Sequence, residues 1–197
     1  WLVREAVLLS RGVDGLEALA DTDGQNHPEI FFDLVTSYVD VDDVKKAEAV
    51  CVRGIEKITS PHQQAVLADW LAKIAEKDND MILALKHRRQ AWRFEPTQRR
   101  LVNWCSTLNQ TPDDTALREE ISFLESLPGN NYVRLISMLE VLAGDYDKLC
   151  RTLLDAEPLG WKLDNHPGFF LLPVTLIAGA GLKELPEMSQ LYQISED

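Results

Sequence analysis

The side chains that could perform acid–base or metal chemistry are four histidines, three cysteines and several paired carboxylates. None of the histidines belongs to an HExxH or Cys/His zinc pattern, so we predict no metal site. Nucleotide-binding and nucleophile motifs (GxGxxG, GxxxxGK[ST], GxSxG) are also lacking, so we predict no cofactor. The pairs Asp113-Asp114 and Glu119-Glu120 could serve as acid and base, but carboxylates on a polar helix face are ordinarily solvated. We therefore predict no catalytic residue and a protein that is not an enzyme.

One basic cluster interrupts a chain whose formal net charge is -12. Lys86, Arg89 and Arg93 follow one another at helical intervals, so they could share a face and hold a carboxylate or phosphate by forked hydrogen bonds. The alternative, which we prefer, is that the cluster pairs with acidic residues of adjacent helices or of a second subunit. The overall acidity disfavours nucleic acid as a partner and fits a cationic or mixed-charge protein, unless it serves only solubility. The remaining members of the cluster are Arg88, Arg99 and Arg100.

The cysteines and the apolar runs indicate the cellular compartment of the protein. Cys51, Cys105 and Cys150 are odd in number and lack CxxC spacing, which favours buried, reduced thiols in a cytoplasmic protein. The most apolar run, Phe169 to Leu182, is shorter than the about 20 residues that a spanning helix needs, so we predict no membrane segment. Because the chain opens at Trp1 inside a predicted helix and without methionine, we expect a piece of a longer protein.

The elements that must position these residues are helices throughout. Apolar residues recur at helical spacing, which predicts an all-α fold. Ser60 is the expected N-cap before Pro61, and the Gln63 side chain could reach back to the cap. Residues Thr111 to Asp114 show the same pattern of a hydroxyl N-cap followed by proline. Short connections make consecutive helices antiparallel hairpins. The predicted helices lie near 2–21, 28–39, 42–58, 61–77, 80–94, 97–109, 112–127, 130–143, 146–156, 167–179 and 185–194.

Two segments share one pattern of apolar and small residues, separated by turns at 40–43 and 77–80. Small residues allow two helix backbones to cross closely, while leucine and tyrosine fill the gaps. A third, weaker copy covers Val133 to Ala156. The matched positions are Phe31, Leu34, Tyr38, Ala47, Cys51 and Gly54 in the first segment, and Ala68, Leu71, Ala72, Ala75, Ala84, Arg88 and Ala91 in the second.

This pattern resembles the tetratricopeptide repeat. The resemblance implies stacked antiparallel helix hairpins in a right-handed α-solenoid, and a single helical-repeat domain across 1–197. Asn103, Trp104 and Arg88 depart from the family pattern, which leaves related helical-hairpin solenoids open as the subtype. The segment 158–181 also looks like the C-terminal part of bacterial helical-repeat proteins of unassigned function.

The fold implied by this resemblance predicts a non-catalytic scaffold or adaptor that binds a protein or peptide in a concave groove. One alternative is an accessory region of a larger enzyme or regulator whose active part lies upstream of Trp1, and another is a small-molecule sensor. An aromatic face at Phe169 and Phe170 would favour a homodimer if no helix covers it. The expected groove residues are Phe32, Thr36, Val39, Asp69, Lys73, Glu76, Arg134, Met138 and Val141.

Overall fold

The computed structural model describes residues 2–107, 113–129 and 132–145. Within these ranges the chain forms eight α-helices and no strand, which confirms the all-α class. The predicted helices near 146–156, 167–179 and 185–194 lie outside the described residues, as do Cys150, Phe169 and Phe170. The helices are α1 (Leu2–Asp23), α2 (Glu29–Asp40), α3 (Val44–Lys57), α4 (Pro61–Lys77), α5 (Met81–Phe94), α6 (Gln98–Ser106), α7 (Asp114–Ser126) and α8 (Val133–Leu142).

The helices belong to two compact units, Trp1–Gln110 with α1 to α6 and Thr111–Asp197 with α7 and α8. In the first unit every helix packs against the next one along the chain, and α4 and α5 share the most extensive interface. In the second unit α7 packs against α8. Consecutive helices are therefore neighbours in space, as short connections require.

Alternate helices of the first unit are joined by ion pairs. One such contact links α1 to α3, a second links the turn after α2 to the end of α4, and a third links α4 to α6. Helices two apart in sequence therefore come within reach of each other's long charged side chains. The paired atoms are Lys57 Nζ and Asp21 Oδ1 at 3.2 Å, Lys77 Nζ and Asp42 Oδ1 at 2.5 Å, and Arg100 Nε and Asp69 Oδ2 at 3.2 Å.

The turn after α2 has a specific hydrogen-bond pattern. Asp42 adopts a left-handed conformation with φ of 61°. Its N–H donates to the carbonyl of Val39 at 3.1 Å, and the N–H of Asp43 donates to the carbonyl of Tyr38 at 2.9 Å. This pair of bonds is the Schellman motif, which satisfies the last carbonyls of a helix.

The same motif closes α4 and α8. Asn79, with φ of 60°, and Gly144, with φ of 70°, take the left-handed position. The following N–H groups, of Asp80 and Asp145, each donate back at 2.9 Å to a carbonyl five residues earlier. Asparagine, aspartate and glycine are the residues that tolerate this conformation, so the turn chemistry was present in the sequence.

The residue that ends two of these turns also starts the next helix. The Asp43 carboxylate accepts from the N–H of Lys46 at 3.3 Å, and the Asp80 carboxylate accepts from the N–H of Leu83 at 3.0 Å. Each aspartate satisfies one of the free N–H groups at a helix start. One side chain thereby fixes both the end of the turn and the direction of the helix after it.

Two predicted helix starts differ in detail. Ser60 is the N-cap of α4 and Pro61 its first residue, but the Ser60 hydroxyl makes no capping hydrogen bond. The predicted start of α7 at residue 112, with Thr111 as its N-cap, was two residues early, because the N-cap is Asp113 and the helix begins at Asp114. The Asp113 carboxylate accepts from the N–H of Ala116 at 2.8 Å. Asp113 thereby satisfies a free N–H group at the helix start, and its negative charge interacts favourably with the helix dipole.

The first helix is not continuous. Gly12 has φ of 63° and ψ of -159° inside α1, which divides the helix at a kink. A residue without a Cβ adopts this conformation at little steric cost. Before the kink, Leu2, Val3 and Leu9 are exposed by 76%, 67% and 83%.

The core of the first unit depends on close approach at small residues. A Cβ added to Gly54 of α3 would lie 2.6 Å from Cδ1 of Leu67 and 3.0 Å from Cγ of Phe31. Helices α2, α3 and α4 therefore meet at this glycine. Small residues are also buried on α4 and α5, the two helices with the most extensive interface. The sequence pattern predicted Ala68, Ala72, Ala75, Ala84 and Ala91, and Ala65 of α4 is buried as well.

We expect Gly54→Ala to lower the free energy of unfolding by about 1–3 kcal/mol, because the added methyl group forces Leu67 and Phe31 to move. Chemical denaturation measures this change. Ala49→Gly, at an exposed site of the same helix, changes helix propensity without altering the core. It should lower the free energy of unfolding by about 1 kcal/mol. A Gly54→Ala protein more stable than the wild type would contradict the close crossing.

We also expect the thiols of Cys51 and Cys105 to resist labelling in the folded protein. Burial raises the pKa of Cys51 to about 12, with a smaller effect from Glu48, and burial raises the pKa of Cys105 to about 11. A thiol reagent near neutral pH, used on a Cys150→Ser background, should label both cysteines only in denaturant. A cysteine introduced at exposed Ala49 is the reactive control, and equal rates at Cys51 and at this control would disprove the prediction.

Candidate binding surface

The first predicted row of groove residues lies on one face of α2, where Phe32, Thr36 and Val39 are spaced by four and three residues. Thr36 is exposed, and its hydroxyl donates to the carbonyl of Phe32 at 2.9 Å. Phe32 and Val39 are half-buried and pack against the hydrophobic core. This row therefore presents one exposed polar residue between two partly exposed apolar side chains.

The second predicted row lies on α4 and contains Asp69, Lys73 and Glu76. Lys73 is exposed, and its ammonium lies 4.8 Å from the centre of the Trp70 ring. The attraction between a cation and an aromatic face restrains the lysine at the surface. Lys77 at the end of α4 bonds to Asp42 in the turn after α2, so the C-terminal ends of α2 and α4 are close together.

The two carboxylates of the second row are held by Arg88 of α5. Its Nη1 donates to Oδ1 of Asp69 at 2.9 Å, and its Nη2 and Nε donate to Oε1 of Glu76 at 2.9 and 3.1 Å. The Arg88 side chain is only 11% exposed. A guanidinium this shielded from water needs such partners, since burying an unpaired charge is costly.

The ion pairs continue from Asp69 to α6. Arg100 Nε donates to Oδ2 of Asp69 at 3.2 Å, and Arg100 Nη1 pairs with Glu95 at the end of α5. Glu95 Oε2 also lies 3.0 Å from Nδ1 of His62, near the start of α4. We call this set of ion-paired residues, which joins α4, α5 and α6, the acid–arginine network; its members are Glu76, Arg88, Asp69, Arg100, Glu95 and His62.

The network changes the proton affinity of Glu95. Partial burial of its carboxyl favours the neutral form, but the His62 hydrogen bond and the charge and hydrogen bond of Arg100 outweigh this effect. The pKa of Glu95 is therefore below its ordinary value. The carboxylate is held ionised by groups from two neighbouring helices.

Part of the network occupies positions on α4 and α5 whose counterparts on α2 and α3, which we call the first hairpin, are apolar. Asp69, Glu76 and Arg88 each follow an apolar residue by 37 positions, which is also the spacing from Asp43 to Asp80. The apolar counterparts are Phe32, Val39 and Cys51. Arg88, a departure from the family pattern, is thus accompanied by two carboxylates that neutralise it.

The basic residues singled out from the sequence are used in different ways. Arg88 and Arg100 pair with acidic residues of an adjacent helix, which was the preferred alternative for this cluster. Lys86 and Arg93 are exposed, and the guanidinium carbon of Arg89 lies 5.6 Å from the centre of the Trp104 ring. An anion site of Lys86, Arg89 and Arg93 stays a prediction.

The third predicted row belongs to the second unit. Arg134, Met138 and Val141 are half-buried on α8. Leu135 and Leu139 on the same helix are buried. The row therefore lies at the margin of the local core, and its role in binding stays a prediction.

Sequence reasoning found some of the network and missed the rest. Asp69 and Glu76 were predicted as partner-binding residues, and Arg88 was noted as unusual. His62, Glu95 and Arg100 were not assigned to one site, because His62 is 33 residues from Glu95 and the two meet only through the packing of α4 against α5. Arg100 was noted as a member of the basic cluster, whereas the only signal of His62 and Glu95 was a polar side chain near a helix end, which is common on protein surfaces.

Other chemistry is limited in the part of the chain that the structure describes. No three histidine, cysteine or acidic side chains there converge in a way that could hold a metal ion. Among the described helices, none has both the length and the apolar character needed to cross a bilayer.

Comparison with known proteins adds no family to this description. Neither a scan against models of protein families nor a search of curated proteins finds a match to the chain. The chemistry of the surface is therefore inferred from its own side chains and contacts.

We expect the partly buried pair of Asp69 and Arg88 to be strongly coupled. A double-mutant cycle with Asp69→Asn and Arg88→Gln should give a coupling energy of about 1–3 kcal/mol, because each substitution leaves the other group shielded and poorly compensated. Chemical denaturation of the four proteins measures it.

The matched control is the exposed Asp42–Lys77 pair, whose side chains are 78% and 59% exposed. A cycle with Asp42→Asn and Lys77→Gln should give a much smaller coupling energy, because water and salt screen exposed charges. Asparagine tolerates the left-handed backbone at position 42. Equal coupling in the two cycles would show that burial does not strengthen the network.

We expect Glu95 to make stability depend on pH in a defined direction. Because its pKa is lowered in the folded protein, ionised Glu95 stabilises the native state above its ordinary pKa of 4.5. This contribution is lost as the pH falls through the lower folded value. The stability difference between the wild type and Glu95→Gln should therefore shrink between about pH 6 and about pH 3. A difference that stays constant over this range would contradict the assignment.

Proposed function

We propose that this chain is a non-catalytic scaffold of the tetratricopeptide type that binds a protein or peptide. The binding surface is the pair of rows on α2 and α4. The arrangement it requires is a stack of helix hairpins, α2 with α3 and α4 with α5, in the manner of a right-handed α-solenoid. The free thiols of Cys51 and Cys105 favour a reducing, cytoplasmic location.

One observation supports this proposal above the others. Small residues 37 apart that pack inside the two hairpins are alike in role, since Ala47 and Ala84 are both buried, as are Gly54 and Ala91, whereas Arg88 replaces the buried Cys51. Residues 37 apart on the predicted surface differ in chemistry, as Thr36 and Lys73 show. A repeat that keeps its packing residues and varies its outer residues presents a different side chain from each hairpin. Such a surface suits recognition of an extended partner.

The charges of the surface indicate what it would accept. Asp69 and Glu76 are neutralised by Arg88 and Arg100, so their carboxylates contribute little net charge. Lys73 is an exposed cation between them, and Phe32 and Val39 offer partly exposed apolar area. The surface therefore suits a peptide that carries an acidic or polar group flanked by apolar side chains.

We expect Lys73→Glu to weaken peptide binding. Peptides selected from a displayed library on the wild-type protein should lose about tenfold or more in affinity for this variant, which corresponds to about 1.4 kcal/mol. The control Lys45→Glu makes the same charge change at an exposed site of α3. If both variants weaken binding equally, the loss reflects the net charge of the protein and not the predicted surface. If no peptide that binds saturably can be selected, the proposal is overturned.

A second pair of variants tests the same surface by bulk. Thr36→Arg should block binding by filling the space between Phe32 and Val39. Ala49→Arg adds the same side chain to an exposed site on α3 and should leave affinity unchanged. Circular dichroism and thermal unfolding of all four variants show whether the fold is retained, so that a loss of binding is not mistaken for unfolding.

A further inference from the structure

We draw no further inference here: the strongest candidate, the exposed apolar face of Leu2, Val3 and Leu9 on the first half of α1, carries nothing because no contact of the described residues shows what covers it.

Discussion

Close approach of helix backbones at residues with little or no side chain is the constraint on which the first unit depends. At Gly54 the space for a Cβ is already occupied by Leu67 and Phe31. The α4–α5 interface achieves its packing with buried alanines on both helices. Because dispersion contacts weaken steeply with distance, this packing stabilises the unit only if the helices stay at this separation. The size of each buried residue therefore matters more than its hydrophobicity alone.

The acid–arginine network shows how the same framework tolerates charge. A single arginine at position 88 among apolar neighbours would be destabilising, because desolvation of a guanidinium costs several kcal/mol unless partners compensate it. Asp69 and Glu76 supply that compensation from the facing helix, and Arg100 joins α6 to the same carboxylate. Asp69, Glu76 and Arg88 occupy positions whose counterparts on α2 and α3 are apolar. Directional hydrogen bonds here fix which groups meet, whereas apolar contacts at the equivalent place are not directional.

The turns contribute a second kind of regularity, which is local. The Schellman motif recurs after α2, α4 and α8 with the same pair of hydrogen bonds. It depends on one residue that tolerates a left-handed backbone, and in two cases an aspartate after it caps the next helix. Because a turn of this kind reverses the chain within a few residues, it brings the next helix back onto the previous one.

The sequence by itself determined the helical class, the approximate helix bounds, the turn positions and the small residues at the crossings. These properties depend on periodicity, on caps and on residue size, all of which act over a few neighbouring positions. Only the tertiary structure decided that Asp69 pairs with both Arg88 and Arg100, that His62 reaches Glu95, and that Asp113 rather than Thr111 caps α7. The ion pairs join residues far apart in the chain, and an exposed carboxylate and an ion-paired one have the same local sequence signal. Which charge remains available to a partner is therefore a property of helix packing.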